Sequence, residues 1–174
     1  MIPLPNHNTY WVIPGQFMAG EYPRDADDKR SRKKLAGYLE RGVSLFLDLT
    51  EPGEYGLQPY RAMLNELAAE RGKEVAYHRL PIIDSNVPEP AFMRRILATI
   101  DDALLDGHTV YVHCWGGIGR TGTVVATFLT HHGQTADASL AQLADWWTKV
   151  EKSARHPRSP ENDLQEAFVR SWVR

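Results

Sequence analysis

Residues 109–132 constrain this chain more than any other stretch. Thr109-Val110-Tyr111-Val112 is apolar, β-branched and aromatic, bounded by Gly107 and ending at His113, which is the composition of a buried strand. Residues 122–132, GTVVATFLTHH, are mostly apolar and free of proline, long enough for a buried helix. Between them lies His-Cys-Trp-Gly-Gly-Ile-Gly-Arg-Thr-Gly, residues 113–122, with the single cysteine of the chain inside it. A strand therefore runs through a glycine-rich turn straight into a helix, and the cysteine sits in the turn.

Gly116, Gly117 and Gly119 let such a turn curl tightly, with positive φ where the path needs it. Successive N–H groups can then face inward and form an anion-binding nest at the positive end of the following helix. Arg120 adds a planar fork of donors matched to two oxygens of one phosphate. The same positive surroundings favour Cys114 as thiolate, and Thr121 can donate its hydroxyl to that sulfur. A lone cysteine is usually a small buried hydrophobe, and its spacing to an arginine is weak evidence by itself. The whole string is specific, because strand, His-Cys, glycines, Arg-Thr-Gly and helix all occur in order.

HCWGGIGRTG resembles the Cys-x5-Arg-Thr signature loop of the cysteine-dependent protein tyrosine phosphatase superfamily, nearest its small dual-specificity-like members. The resemblance implies a phosphocysteine intermediate on Cys114. It also implies phosphate binding by Arg120 and by the amides of Trp115, Gly116, Gly117, Ile118 and Gly119, with His113 as a neighbour of the site. It covers most of the chain, and the signature loop is its specific part. No metal or other cofactor is implied.

The 174 residues are enough for one domain with a real core, expected to span 1–174 with residues 1–15 as an extended N-terminal arm. A hydrophobic share of 43% and a charged share of 24% fit a soluble globular protein. The net charge of -2 gives no pull toward nucleic acid or anionic membrane. One cysteine excludes an internal disulfide and fits a reducing compartment. MIPLPNHNTYW has neither a basic start nor an apolar core, so it is not a secretory signal, and no run reaches the ~20 apolar residues of a membrane span. A cytoplasmic protein without a membrane anchor is expected; its oligomeric state is open.

Along the chain, residues 16–19 suggest a short first strand. Tyr22, in Gly-Glu-Tyr-Pro-Arg, is a candidate wall for the cleft. Residues 25–41 predict a helix stopped by Gly42; its run Lys29-Arg30-Ser31-Arg32-Lys33-Lys34 spreads round the helix and fits a solvated face better than a polyanion patch. Residues 43–49, VSLFLDL, are apolar almost throughout, as a strand covered on both sides would be. In the loop that follows, Glu51 and Glu54 can brace the signature arginine or simply be solvated. Residues 60–71 predict a helix, 75–83 a strand, 91–105 a helix, and 136–152 a helix whose Trp146 and Trp147 pack. His131 and His132 point about 100° apart on a helix and do not share a metal ion. Ser159-Pro160-Glu161 is a candidate start for a terminal helix. Similar Pro-Glu-x-x-x-Gln stretches close many members of the family, which makes Gln165 and Arg158 possible site neighbours.

Strands alternating with helices predict an α/β domain, a mostly parallel sheet with helices on both faces. Ligands sit outside the carboxyl ends of such strands, so the loops carrying Glu51, Asp84 and Cys114 can converge. The resemblance and this position make Asp84 the proton donor to the leaving oxygen, with Glu89 in reserve and an Asx-type turn as the purely local alternative. The expected reaction is hydrolysis of a phosphorylated protein or peptide, at phosphotyrosine and possibly phosphoserine or phosphothreonine. Uncharged variable positions in the loop favour that substrate over phosphoinositides or inositol phosphates, the first alternative. A phosphate-binding pseudophosphatase without turnover is the second.

Overall fold

The structure is a computed structural model and describes residues 2–173. The chain runs β1 (Thr9–Ile13), β2 (Phe17–Gly20), α1 (Asp28–Glu40), β3 (Val43–Asp48), a 3-10 turn (Glu54–Gly56), α2 (Arg61–Glu70), β4 (Ala76–Arg79), α3 (Pro90–Leu105) and β5 (Thr109–His113). It continues through α4 (Gly119–His131), α5 (Ala136–Trp147), a second 3-10 turn (Glu151–Ala154) and α6 (Asp163–Arg170). The strands form one sheet in the order β1-β2-β5-β3-β4, parallel except for β1. The predicted α/β architecture is the one observed.

Period-two alternation divides the core between the two faces of the sheet. Val110, Val112, Leu45 and Leu47 pack on one side with Ile96, Ile100, Val124, Val125 and Leu143 from the helices α3, α4 and α5. Tyr111, Phe46 and Met18 pack on the other with Leu35, Leu39 and Leu64 from α1 and α2. β5 is thus central and covered on both faces, and its carboxyl end delivers His113 and Cys114 between neighbours on either side.

Several boundaries differ from expectation for identifiable reasons. The stretch expected as an arm holds β1, because Thr9–Ile13 pairs antiparallel with β2 and closes an edge of the sheet. The strand expected over 75–83 ends at Arg79, although Leu80 and Ile82 still donate N–H groups to Asp48 and Leu49; Pro81 between them has none to give. The helix expected over 136–152 stops at Trp147. The N-cap of α6 is Asn162, whose side chain accepts from the Gln165 amide at 3.0 Å, and not Ser159. Helix α4 starts at Gly119, within the signature loop and three residues before the sequence suggested.

Candidate active site

Side-chain oxygens of Asp27, Thr135 and Asn162 cap the first turns of α1, α5 and α6. Helix α4 has no such cap, since Ile118 stands at that position. Its first N–H groups and the positive end of its dipole are left for something else.

The turn before it is held from outside by its carbonyls. His113 Nδ1 lies 3.0 Å from the Cys114 oxygen, and the Tyr22 N–H reaches the Trp115 oxygen at 2.9 Å. Lys152 Nζ donates to the Gly116 oxygen at 3.3 Å, and Ser159 Oγ to the Ile118 oxygen at 2.7 Å. In planar trans peptides the N–H points opposite to the preceding C=O. Four outward carbonyls therefore turn the N–H groups of Trp115, Gly116, Gly117 and Gly119 the other way. The Gly117 N–H meets Cys114 Sγ at 3.3 Å. Gly117 has φ +75°, and a Cβ there would lie 2.5 Å from the backbone carbon of Gly20, so only glycine fits. A Cβ on Gly119 would overlap the carboxylate of Glu161.

Arg120, 1% exposed, crosses beneath the loop. Its Nη1 and Nη2 bind the two carboxylate oxygens of Glu54 at 2.6 Å each, and Nη1 also reaches the Ile82 carbonyl at 3.0 Å. Asp84 Oδ1 lies 2.9 Å from Nη2. Burial alone would lower the pKa of this guanidinium, but Glu54, Cys114 and Asp84 together outweigh it and the group is held more firmly charged than usual. Nε is buried with no hydrogen-bond partner among the described residues.

His113 is fully buried. Tyr60 places its hydroxyl 2.6 Å from Nε2, and the Nδ1 contact to the Cys114 carbonyl, which can only accept, requires the proton on Nδ1. Burial pushes the His113 pKa down, opposed by Asp48 at 4.0 Å. The neutral ring then links Tyr60 to the signature turn. Behind the turn, Glu21 binds Lys152 at 2.6 Å and also binds Lys34; burial would raise its pKa, but the two lysines outweigh that and keep it ionised.

A pocket of about 320 Å³ opens over Cys114, lined by Asp84, Trp115, Gly116, Ile118, Gly119 and Arg120, and by Lys152, Arg155, His156 and Glu161. The larger groove of about 1000 Å³ beside α6 contains Glu89 and none of the signature loop. The structure thus brings Cys114, Arg120 and Asp84 together.

Other candidates are placed differently. Glu54, not Glu51, braces Arg120: Glu51 is exposed and meets Glu54 through its backbone, its N–H donating to the Glu54 carboxylate at 3.0 Å and its carbonyl accepting the Glu54 N–H at 3.2 Å. Thr121 does not reach the sulfur; its hydroxyl is buried without a partner among the described residues. Gln165 is buried, packs against Gly119, and reaches the Asn86 carbonyl at 3.4 Å. Arg158 pairs instead with Asp163 at 2.8 Å and Glu166 at 3.2 Å on α6. Tyr22 packs edge-on against His113 behind the loop and does not wall the pocket.

Lys152 carries no local motif that points to the site, whereas Ser159 and Glu161 belong to the stretch from which only Gln165 and Arg158 are expected as site neighbours. The Trp147 indole N–H donates to the His156 carbonyl at 2.7 Å and ties the segment after α5 back to that helix.

Comparison with known proteins agrees with this geometry. The family profile PTP-SAK, described as "Swiss Army Knife protein, DSP-PTPase phosphatase domain", matches residues 6–169. Protein 197R of Invertebrate iridescent virus 6 is 37% identical over 62% of this chain and 43% of its own. The human dual specificity protein phosphatase CDC14A is 24% identical over 97% of this chain and 26% of its own. The chain spans less than half the length of either relative. The crystal structure of P. aeruginosa TpbA in complex with pTyr superposes with a TM-score of 0.69 at 17% identity, covering 98% of this chain and 88% of that one, which shows a shared fold. With the signature loop, its buried arginine and a profile match over nearly the whole length, the chain belongs to the PTP-SAK family of DSP-PTPase phosphatase domains.

Proposed function

We propose that this chain, acting as one domain, hydrolyses phosphomonoesters through a phosphocysteine on Cys114, and that phosphotyrosine in proteins is its substrate. The observation that carries the reading is Arg120: two nitrogens are fixed by Glu54 while Nε, buried in the same site, has no partner among the described residues. A buried donor without an acceptor calls for a ligand, and inward amides at an uncapped helix start call for an anion.

In the first step Cys114 thiolate attacks phosphorus. The S–P bond forms as the P–O bond to the leaving group breaks, and the leaving oxygen takes the proton of Asp84. Arg120 and the turn amides hold the equatorial oxygens as charge shifts. In the second step water attacks phosphorus and gives its proton to Asp84; the S–P bond breaks, returning thiolate and inorganic phosphate. A nucleophile that must stay reduced fits the cytoplasm.

The rim favours an aromatic substrate. Trp115 and Tyr55 are exposed and tilted against each other at 5.0 Å between centroids, offering ring faces at the mouth. The second reading, phosphoinositides or inositol phosphates, draws support from Lys152, Arg155 and His156 in the pocket lining. Against it, Lys152 is engaged by Glu21 and Gly116, and Asp84 and Glu161 share the pocket. Initial rates on a phosphotyrosine peptide, a phosphothreonine peptide and a phosphoinositide at matched concentration separate the two. The phosphotyrosine peptide is expected to be fastest; a phosphoinositide turned over faster would replace the first reading with the second.

A further inference from the structure

Tyr55 offers its ring at the pocket mouth, and its hydroxyl has a separate partner. Tyr55 lies in the 3-10 turn directly after Glu54, at φ 49°, ψ 22°, a left-handed conformation that disfavours a bulky side chain. Gly53 and Gly56 on either side also have positive φ, at 77° and 68°. Such strain persists only where surrounding contacts over-determine it. Burial is not the reason, because Tyr55 is 65% exposed. Two directed contacts remain: its hydroxyl donates to Asp84 Oδ2 at 2.7 Å, and its ring packs on Trp115. The twisted backbone lets adjacent residues serve opposite ends of the site, Glu54 on the arginine and Tyr55 on the carboxylate.

We propose that Tyr55 is a positioning residue for the acid, holding Oδ2 of Asp84 so that Oδ1 faces the leaving oxygen once substrate occupies Arg120. The proposal rests on the reading of Asp84 as proton donor. Oδ1 sits 2.9 Å from Arg120 Nη2, a donor for which phosphoryl oxygens compete. A bound dianion releases Oδ1 from the arginine, and Oδ1 takes up a proton from solvent while Tyr55 keeps Oδ2. The proton then passes from Oδ1 to the leaving oxygen as the P–O bond breaks, and the Tyr55 O–H is unchanged throughout. The hydrogen bond to Asp84 and the charge of that carboxylate raise the Tyr55 pKa, so the hydroxyl remains a donor.

Tyr55→Phe tests this, since it keeps the ring against Trp115 and removes only the hydroxyl. Turnover of a phosphotyrosine peptide is expected to fall about tenfold or more, while an activated aryl phosphate stays within about twofold. In an Asp84→Asn background the same change is expected to do nothing further. Equal slowing of both substrates, no slowing of either, or the full loss repeated in the Asp84→Asn background would overturn the proposal. Asp84→Asn alone has its own signature: the peptide is crippled and the activated substrate is spared. If that variant slows both alike, the reading of Asp84 fails and the role of Tyr55 fails with it. If it behaves as expected and Tyr55→Phe does not, only the role of Tyr55 fails.

Discussion

Arg120 divides one guanidinium between structure and chemistry. Glu54, with a side chain only 6% exposed, takes both Nη atoms in a fork-on-fork pair, which fixes the plane of the group and leaves Nε free. Lysine keeps the charge but not the plane, so Arg120→Lys is expected to lose about 10²-fold or more in kcat/KM. Near-normal kcat/KM would show that charge alone suffices. Glu54→Gln keeps the shape and loses the charge. Its kcat/KM is expected to drop on the order of tenfold or more, the scale of one charged hydrogen bond. Glu51→Gln made in parallel should match wild type. Sequence pointed to both glutamates but could not choose between them, because the choice depends on the left-handed turn at Gly53 and Tyr55.

At the scale of elements, the signature loop is a rigid unit built where β5, β2 and α4 meet. Gly117→Ala tests that packing, since the new methyl group would press on the backbone of Gly20. Activity is expected to fall by about 10² or more while the protein still folds, with stability lowered by roughly 1–3 kcal/mol. Full activity with an unchanged Tm would mean the loop adapts freely. β5 and α4 were legible because their apolar runs are continuous, and the loop because its motif is local. Residues 9–13 were not, because a short strand beside prolines looks like an arm until β2 supplies its partner. Ser159 looked like a helix cap because its type suits one, but in the fold its hydroxyl is already committed to the Ile118 carbonyl.

At the scale of the whole molecule, the loop is fastened to several layers: through His113 and Tyr60 to the start of α2, through Lys152 and Glu21 to α1, through Ser159 to the segment before α6, and through Gln165, packed on Gly119, to α6 itself. The topology that gathers Cys114 and Asp84 at the carboxyl ends of strands followed from alternating strands and helices alone. The brace from Lys152 did not, because it spans 36 residues and has no local pattern. The buried linkage also ties stability to pH. Burial depresses the His113 pKa, so below the unfolded value of about 6.5 the unfolded chain binds the extra proton and folding weakens. Tm is therefore expected to fall as pH drops from 7.5 toward 5, and His113→Gln should flatten that slope; an unchanged slope would remove His113 as its cause. The central claim, nucleophilic catalysis by Cys114, is tested most directly by steady-state hydrolysis of a phosphotyrosine peptide by pure Cys114→Ser, with phosphate binding followed alongside. The account predicts no measurable turnover with binding retained, and turnover within about tenfold of wild type would contradict it.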